Sequence, residues 1–444
     1  MNSSSALELK SGSRIGVVGG GPAGSFFSLF LLQMADTAGL DIDLDIYEPR
    51  DFSVPGPQGC NMCAGVISES LVQSLAVEGI NLPETVVQRG IDSYVMHTAA
   101  GNVTIATPLE EMRIATVLRG SGPPKQREMK WKSFDGYLLQ LAVAKGAKVL
   151  RNRVTNIGWN DGRPEVQLKD GQSRRYDLLV GAVGVNTASL GVFEKLGISY
   201  RRPGTKRTLV AELAMDSDFI SSVPGNSLHV FLMNLPGLEF AAMAPKGDYV
   251  TLCLIGNGVN REVADQFLQH PAVRRSVPEG VLSAARVCQC SPWASLGNAT
   301  HPFADRLVLI GDCGVSRLNK DGIGSAYRTA KAAARTAVFE GIAGQDFYRH
   351  YWPICQSISR DNRYGRAIYL IAGGVQGKAH PTVGMLRTAH DEQSQHGQKR
   401  RMSMVLWDTF TGSAPYREVF VRTLHPYFLG RFLWNSSTWW RWQG

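Results

Sequence analysis

Four glycines lie within six positions near the beginning of the sequence, in the stretch "GVVGGGPAGS" at residues 16–25. Each glycine loses more backbone entropy on folding than any other residue, so the stretch is either a flexible linker or a loop that a ligand approaches closely. The spacing Gly-x-Gly-x-x-Gly suits the pyrophosphate of a dinucleotide. In that arrangement Gly19 makes the tight turn, Gly21 lets the phosphates reach the backbone, and Gly24 lets a helix pack closely on a strand.

The flanking residues favour the ligand-binding loop over the linker. "RIGVV" predicts a buried strand, "SFFSLFLLQMA" predicts a helix, and "LDIDLDIYEPR" alternates polar and apolar residues as a second strand does. Pro22 and Ala23 then lie in the first helical turn, where free N–H groups and the helix dipole attract phosphate. Glu48 comes 24 residues after Gly24, at the end of the second strand, and its carboxylate can accept hydrogen bonds from a ribose. Arg50 is predicted to belong to the same site.

A second motif, far along the chain, identifies the dinucleotide. "RLVLIGD" predicts another buried strand, and it is followed by a loop and an alanine-rich helix. Together with the "GGGPAG" spelling, this motif resembles FAD-binding oxidoreductases of the glutathione-reductase and hydroxybenzoate-hydroxylase fold. The resemblance implies that Asp312, directly after Gly311, contacts the ribityl chain of the flavin. It also implies that Gly322, Ile323 and Gly324 open a helix whose N-terminus stabilises negative charge at the flavin N1–C2=O edge.

The same resemblance implies the fold class, α/β, with a Rossmann-like FAD-binding domain interleaved with a β-sheet substrate domain and followed by a helical C-terminal region. The predicted boundaries are residues 12–60, 130–189 and 291–345 for the FAD-binding domain, residues 61–129 and 190–290 for the substrate-covering domain, and residues 346–444 for a C-terminal region that covers the pocket or contacts a membrane surface. Backbone near Val154 is expected to lie against the adenine. Val183 stands where the family has an aspartate, which argues against NAD(P)H binding in the way familiar there.

Two cysteines follow the second predicted strand. The Cys60-x-x-Cys63 spacing permits a redox dithiol or half of a metal site. A zinc site needs further ligands, and the other close pair, Cys288 and Cys290, lies more than two hundred residues away. No metal site is therefore expected.

The stretch "CAGVIS", from Cys63 to Ser68, is similar in position and type to the Cys-Gly-Gly loop of geranylgeranyl reductases, with Ala64 replacing one glycine. In that family the loop runs beside the flavin, at the wall of the prenyl pocket. The resemblance makes Cys63 a candidate proton donor. The alternative is that Cys60 and Cys63 are small buried residues in a tight loop.

Composition narrows the class of protein. The 444 residues are 44% hydrophobic and 19% charged, which is ordinary for a globular protein. No run of 18 apolar residues occurs, so no membrane-spanning helix is expected. The start, "MNSSSALELK", lacks the apolar core of a secretory signal, and the seven scattered cysteines suit reduced thiols. A cytoplasmic protein is therefore expected, and no feature predicts an oligomeric state.

The last fifty residues differ from the rest. Residues 395–444 contain seven Lys and Arg, two acids and five of the nine tryptophans. This mixture suits a membrane surface, on the inner face of the membrane, and a packed helical region is the alternative. Nucleic acid is not an expected partner, because no other feature supports it.

Three functions are compatible with these features. The first is an FAD-dependent reductase, similar to geranylgeranyl reductases, that adds hydride to a C=C bond of a prenyl or other apolar substrate. NAD(P)H or a reduced electron carrier would be its electron donor. The second is an FAD-dependent monooxygenase that hydroxylates an apolar substrate, because one fold serves both reactions. The third is a flavoprotein whose main role is assembly or membrane docking.

Overall fold

The structure is a computed structural model. It describes residues 7–56, 59–60, 64–107, 114–120, 122, 132–222, 224–284, 286–394 and 400–441. Within these residues the chain forms two compact units. The first comprises residues 1–61, 132–205 and 293–360, and the second comprises residues 62–131, 206–292 and 361–444.

The elements follow one another along both units. The strands are β1 (Ser13–Val18), β2 (Ile42–Tyr47), β3 (Val66–Ile67), β4 (Val87–Ile91), β5 (Ser93–Thr98), β6 (Gly101–Ala106), β7 (Ile114–Val117), β8 (Lys148–Leu150), β9 (Val154–Asn160), β10 (Arg163–Leu168), β11 (Ser173–Arg175), β12 (Leu178–Gly181), β13 (Thr205–Ala214), β14 (Ser227–Leu232), β15 (Phe240–Pro245), β16 (Tyr249–Ile255), β17 (Arg286–Cys290), β18 (Trp293–Ser295), β19 (Phe303–Ala304) and β20 (Leu307–Leu309). The helices are α1 (Pro22–Thr37), α2 (Glu69–Val77), α3 (Phe134–Ala144), α4 (Leu190–Glu194), α5 (Ser217–Ser222), α6 (Arg261–Gln269), α7 (Pro271–Ser276), α8 (Glu279–Leu282), α9 (Gly322–Phe339), α10 (Gly344–Asp346), α11 (Trp352–Gln376), α12 (Ala379–Ser394), α13 (Arg401–Thr411), α14 (Tyr416–Thr423) and α15 (Pro426–Ser437).

The first unit is built on a sheet with the order β19-β20-β12-β1-β2-β8. Strands β20, β12, β1, β2 and β8 run parallel, so their carboxyl ends lie at one edge, where ligands of open α/β sheets bind. Helices α1 and α9 pack together, with Tyr327 edge-on against Phe26 at 5.7 Å and against Phe30 at 5.5 Å between ring centroids. The strand, glycine loop, helix and strand predicted from the sequence are all present.

The second unit is built on a larger, mostly antiparallel sheet with the order β17-β13-β16-β15-β14-β5-β6. One face packs on α6, where Phe231 meets Phe267 at 5.2 Å. On the opposite face Tyr94 meets Trp407 of α13 at 5.2 Å. The C-terminal helices therefore cover part of this sheet within the second unit.

This division differs in three places from the boundaries drawn on the sequence. Residues 190–205 and residues 346–360 cluster with the first unit, and residues 361–444 cluster with the second unit. The C-terminal helices have apolar faces that pack on the sheet, so they do not form a third compact body among the described residues.

Candidate functional site

The glycine loop is a tight connection between β1 and α1. Gly19 has φ +109°, and a Cβ there would lie 2.5 Å from the carbonyl oxygen of Ala182. A Cβ on Gly24 would lie 1.9 Å from the carbonyl oxygen of Gly19. Both positions therefore require glycine because of the protein's own backbone, as expected for a turn that brings a helix close to a strand.

Gly21 requires a different explanation. It caps α1 with φ −69° and ψ −173°, an extended conformation that any residue adopts. Its conformation does not account for a glycine, whereas a ligand close to the backbone would. Pro22 occupies the first position of α1, and this described helix has no acidic residue in its first turn. Its N-terminal N–H groups and dipole are thus suited to an anion such as a pyrophosphate.

Glu48 lies beside this loop, directly after β2, and is almost completely buried. Its Oε2 accepts a hydrogen bond from the Gly20 N–H at 3.0 Å. Arg50 donates from Nε to Oε1 at 2.9 Å and from Nη2 to Oε2 at 2.8 Å. The carboxylate is therefore placed as a ribose-binding group would be, but ribose hydroxyls would have to replace the Arg50 guanidinium. Arg151, which the sequence did not single out, donates to the backbone oxygens of Glu48 and Arg50.

The second motif meets the first at the N-terminus of α1. Gly311 has φ +64°, and a Cβ there would lie 2.7 Å from the Cβ of Ala23. Asp312 follows in a short 3₁₀ turn, Gly311–Cys313. Its Oδ1 lies 3.7 Å from the point where a Cβ of Gly322 would be. The carboxylate thus lies beside the N-terminus of α9, while the preceding Gly311 lies against the first turn of α1, although 288 positions separate Ala23 from Gly311.

The start of α9 has a feature that the sequence did not predict. A Cβ on Gly324 would lie 2.2 Å from Oδ1 of Asp321, so this glycine makes room for that carboxylate. Asp321 has φ +57°, a left-handed conformation that costs about 1–2 kcal/mol. Arg317 and Arg328 lie 3.9 Å and 3.5 Å from its Oδ2. Charged side chains therefore surround the helix N-terminus that was expected to face the flavin.

Most of the predicted cofactor residues lie together in the first unit. Contacts connect Glu48 to Gly20, Gly311 to Ala23, and Asp312 to Gly322. The Val154 side chain belongs to a buried cluster that includes Val18 and Tyr47, the residues directly before Gly19 and Glu48; that its backbone lies against the adenine stays a prediction. Ile323 is buried within α9. Cys63 lies outside the described residues, and the thiol of Cys60 is partly accessible. The described residues contain no group of three or more His, Cys, Asp or Glu arranged to hold a metal ion.

A polar cluster in the second unit was missed at the sequence level. Glu212 on β13 keeps some accessible surface, and its Oε2 accepts a hydrogen bond from Thr251 Oγ1 at 2.6 Å. Burial raises the pKa of Glu212, against the opposing effects of the Lys246 charge and the Thr251 hydrogen bond. Lys246 is only 1% exposed, and its Nζ would lie 2.9 Å from a Cβ on Gly65.

This cluster is chemically suited to proton transfer. A carboxyl with a raised pKa holds its proton at a pH where an ordinary glutamate is ionised, so it can serve as a general acid. Gly65 belongs to the "CAGVIS" loop, which connects the cluster to the segment singled out for its cysteine. The signal in the sequence was a lone acid inside the apolar stretch "TLVAELA" and a lysine between two apolar strands.

Comparisons with known proteins identify the fold. No protein-family profile matches the sequence, and neither does any curated protein. A geranylgeranyl bacteriochlorophyll reductase-like protein from Thermoplasma acidophilum is similar in structure, with a TM-score of 0.65 at 15% identity over 93% of this chain and 99% of that one. A variant of Klebsiella pneumoniae HpxO complexed with FAD gives a TM-score of 0.58 at 16% identity, over 91% and 99% of the two chains. A variant of 2-methyl-3-hydroxypyridine-5-carboxylic acid oxygenase gives 0.55 at 14% identity, over 81% and 90%.

This chain has the α/β fold of flavin-dependent oxidoreductases. The predicted fold class is confirmed, and so is the structural likeness to a geranylgeranyl reductase-like protein. At these identities the likeness carries the fold, and the chemistry has to be argued from the site.

Proposed function

We propose that this protein is an FAD-dependent oxidoreductase that reduces C=C bonds of a prenyl or other apolar substrate. The main support for FAD as the cofactor is that the glycine loop and the Gly311-Asp312 motif lie together at the start of α1, where Gly311 is against Ala23. The structural likeness to HpxO, which was solved with FAD, supports the same cofactor. The similarity of the "CAGVIS" segment to the Cys-Gly-Gly loop of geranylgeranyl reductases is our reason for proposing a reductase.

The residues of the first unit fit the polar half of FAD. Gly21 and the N-terminus of α1 would hold the pyrophosphate, since this helix start carries no acidic side chain of its own. Glu48 would bind a ribose once Arg50 moves from its carboxylate, and the Arg50 guanidinium is a candidate partner for a phosphate. Asp312 would accept a hydrogen bond from a ribityl hydroxyl.

When bound, FAD supplies hydride transfer, so the protein has only to position the acceptor and supply a proton. Cys63 is the proposed proton donor, directly or through a water. A thiol can supply a proton, which suits this role. The electron donor would be NAD(P)H or a reduced electron carrier.

A purified full-length protein tests the cofactor directly. It should be yellow, and heat or acid denaturation should release non-covalent FAD, identified by its mass and absorbance spectrum. Gly21→Val should abolish binding, because its methyl groups would occupy the space of the phosphates. The matched control is Gly158→Ala on β9, where a Cβ would meet nothing within 4 Å. A colourless wild-type protein that cannot be reconstituted with FAD would exclude the proposal.

A monooxygenase is the second candidate, because the oxygenase of the structural comparison has the same fold. Oxygen consumption distinguishes the two reactions. A reductase should consume NAD(P)H or reduced carrier together with an alkene and without oxygen, whereas a monooxygenase should consume oxygen in step with an apolar substrate. A flavoprotein that mainly docks on a membrane is the third candidate, and it would turn over neither substrate.

A further inference from the structure

Helix α15 has an unusual outer face. Its inner face is fixed to the second unit by Phe428, Phe432 and Asn435, and Asn435 Nδ2 donates to Thr388 Oγ1 of α12 at 3.0 Å. The one charged residue of this twelve-residue helix, Arg431, is partly buried and pairs with Asp391 of α12 at 3.1 Å, so the fully exposed positions carry no charge. Two of them, Leu433 and Trp434, are each 62% exposed.

The apolar surface continues on both sides of α15. Exposed large hydrophobic side chains at the end of α14, along α15 and in the short turn after it form one stretch of chain, which we call the α15 surface: Val421, Leu424, Tyr427, Leu429, Leu433, Trp434, Trp439 and Trp440. An ordinary surface helix carries polar or charged residues on its outer side. A cluster of exposed apolar residues of this size marks an interaction site.

The helix is held firmly, so its exposure is a property of the packed fold. A Cβ on Gly384 of α12 would lie 2.0 Å from Ser436 Oγ, which means that the two helices cross at very short range. Arg387 of α12 donates to the Thr438 carbonyl oxygen at 3.3 Å, immediately after α15. Helix α15 thus has one side that packs against α12 and another side that is apolar and exposed to solvent.

The charge and residue types indicate the partner. Residues 416–441 contain four arginines and one glutamate. Arg422 pairs with Asp408 and Glu418, and Arg431 pairs with Asp391, whereas Arg417 is exposed. Aromatic side chains with a polar edge occur at both ends of α15. Trp and Tyr prefer the headgroup level of a bilayer, and Arg is attracted to anionic lipid. Among the described residues no helix is long and apolar enough to cross a membrane. Because one side of α15 is packed against α12 along its length, a bilayer can meet only its outer side, as with a helix that lies in the plane of the interface.

We propose that the α15 surface docks on the surface of an anionic lipid bilayer, with α15 parallel to the membrane plane. Leu433, Trp434 and Trp440 enter the headgroup region, and the exposed Arg417 pairs with lipid phosphate. A bilayer surface also gives access to apolar substrates, which agrees with the proposed function, but docking does not depend on FAD.

Vesicle binding by the full-length protein tests this proposal. We expect the wild-type protein to sediment with vesicles of phosphatidylcholine and phosphatidylglycerol, more weakly with pure phosphatidylcholine, and less at high salt because screening weakens the arginine term. Leu433→Ser combined with Trp434→Ser should reduce the partition coefficient by at least about tenfold, since burial of one such side chain is worth that much. Flavin content and the melting temperature should stay unchanged, because both side chains are exposed.

The matched control replaces exposed apolar residues elsewhere. Val77→Ser with Phe339→Ser removes two side chains that are also exposed but lie outside the α15 surface, and it should bind vesicles like the wild type. Equal loss in both double variants, or wild-type protein that stays in the supernatant with anionic vesicles, would overturn the proposal. The proposal would also be overturned if the wild-type protein did not bind vesicles but formed dimers, and if Leu433→Ser with Trp434→Ser dissociated those dimers. That result would assign the α15 surface to self-association.

Discussion

Replacing Gly24 by alanine is the sharpest test of the glycine loop. The new methyl carbon would lie 1.9 Å from the carbonyl oxygen of Gly19, and the two atoms would have to separate by more than about 1 Å to reach ordinary contact. Overpacking of this kind costs about 1–3 kcal/mol, partly offset by about 1 kcal/mol from the better helix propensity of alanine. We therefore expect the free energy of unfolding to fall by up to about 2 kcal/mol.

The effect on FAD should be larger than the effect on stability. The separation has to move the start of α1 away from the end of β1, and the start of α1 carries the N–H groups proposed for the pyrophosphate. Urea unfolding and FAD titration by flavin fluorescence, both on the full-length protein, measure the two effects. Gly158→Ala serves as the control, with a change in unfolding free energy within about 0.5 kcal/mol. Wild-type FAD affinity in Gly24→Ala would refute the assignment of the phosphates to this helix start.

Three further results are expected. Asp312→Ala should weaken FAD binding by about 1.5–3 kcal/mol in a titration, the value of a hydrogen bond to a charged group, whereas an unchanged affinity would place the ribityl chain elsewhere. Burial raises the pKa of Glu212, so the native state holds this proton more tightly than the unfolded state. The free energy of unfolding should therefore fall as the pH rises above the ordinary glutamate pKa. Glu212→Gln should remove this pH dependence of the free energy of unfolding. Burial lowers the pKa of His97 to about 3 and that of His229 to about 4. The free energy of unfolding should therefore be at its full value above pH 6.5 and should fall on acidification towards pH 4, by up to about 1.4 kcal/mol per pH unit for each ring. Urea titrations measure this dependence, and its slope should be smaller in His97→Phe.

The parts of the fold that the sequence predicts well depend on short stretches of chain. The elements around the glycine loop follow from hydrophobic period and from glycine spacing, and both are local properties. The Glu212 and Lys246 cluster depends on the register of β13 and β16, which places Thr251 directly opposite Glu212. Strand register is set by packing of the whole sheet, so the sequence alone gave no reason to connect these residues.

The burial of the C-terminal tryptophans could not be predicted from the sequence either. Trp407 and Trp434 occur in helices of similar composition, yet Trp407 is buried against Tyr94 and Trp434 is exposed. The exposure of Trp434 follows from the way α15 packs on α12. Asn435, the residue after Trp434, is the one that bonds to α12, so the helix rotation that buries Asn435 turns Trp434 outward. A packed region and an exposed apolar surface are therefore both present, where the sequence offered them as alternatives.

The N-termini of α1 and α9 in the first unit differ in the charges that lie beside them, although both begin with small residues. Both were expected to face FAD. Helix α1 has no acid in its first turn, so its positive end is available to an anion. At α9 the Asp321 carboxylate already lies against Gly324, which leaves less positive potential for the flavin edge. Arg317 and Arg328 beside Asp321 offset part of that negative charge. The α1 terminus is therefore the stronger anion site of the two, which supports the proposed place of the pyrophosphate at α1 and of a group of lower charge at α9.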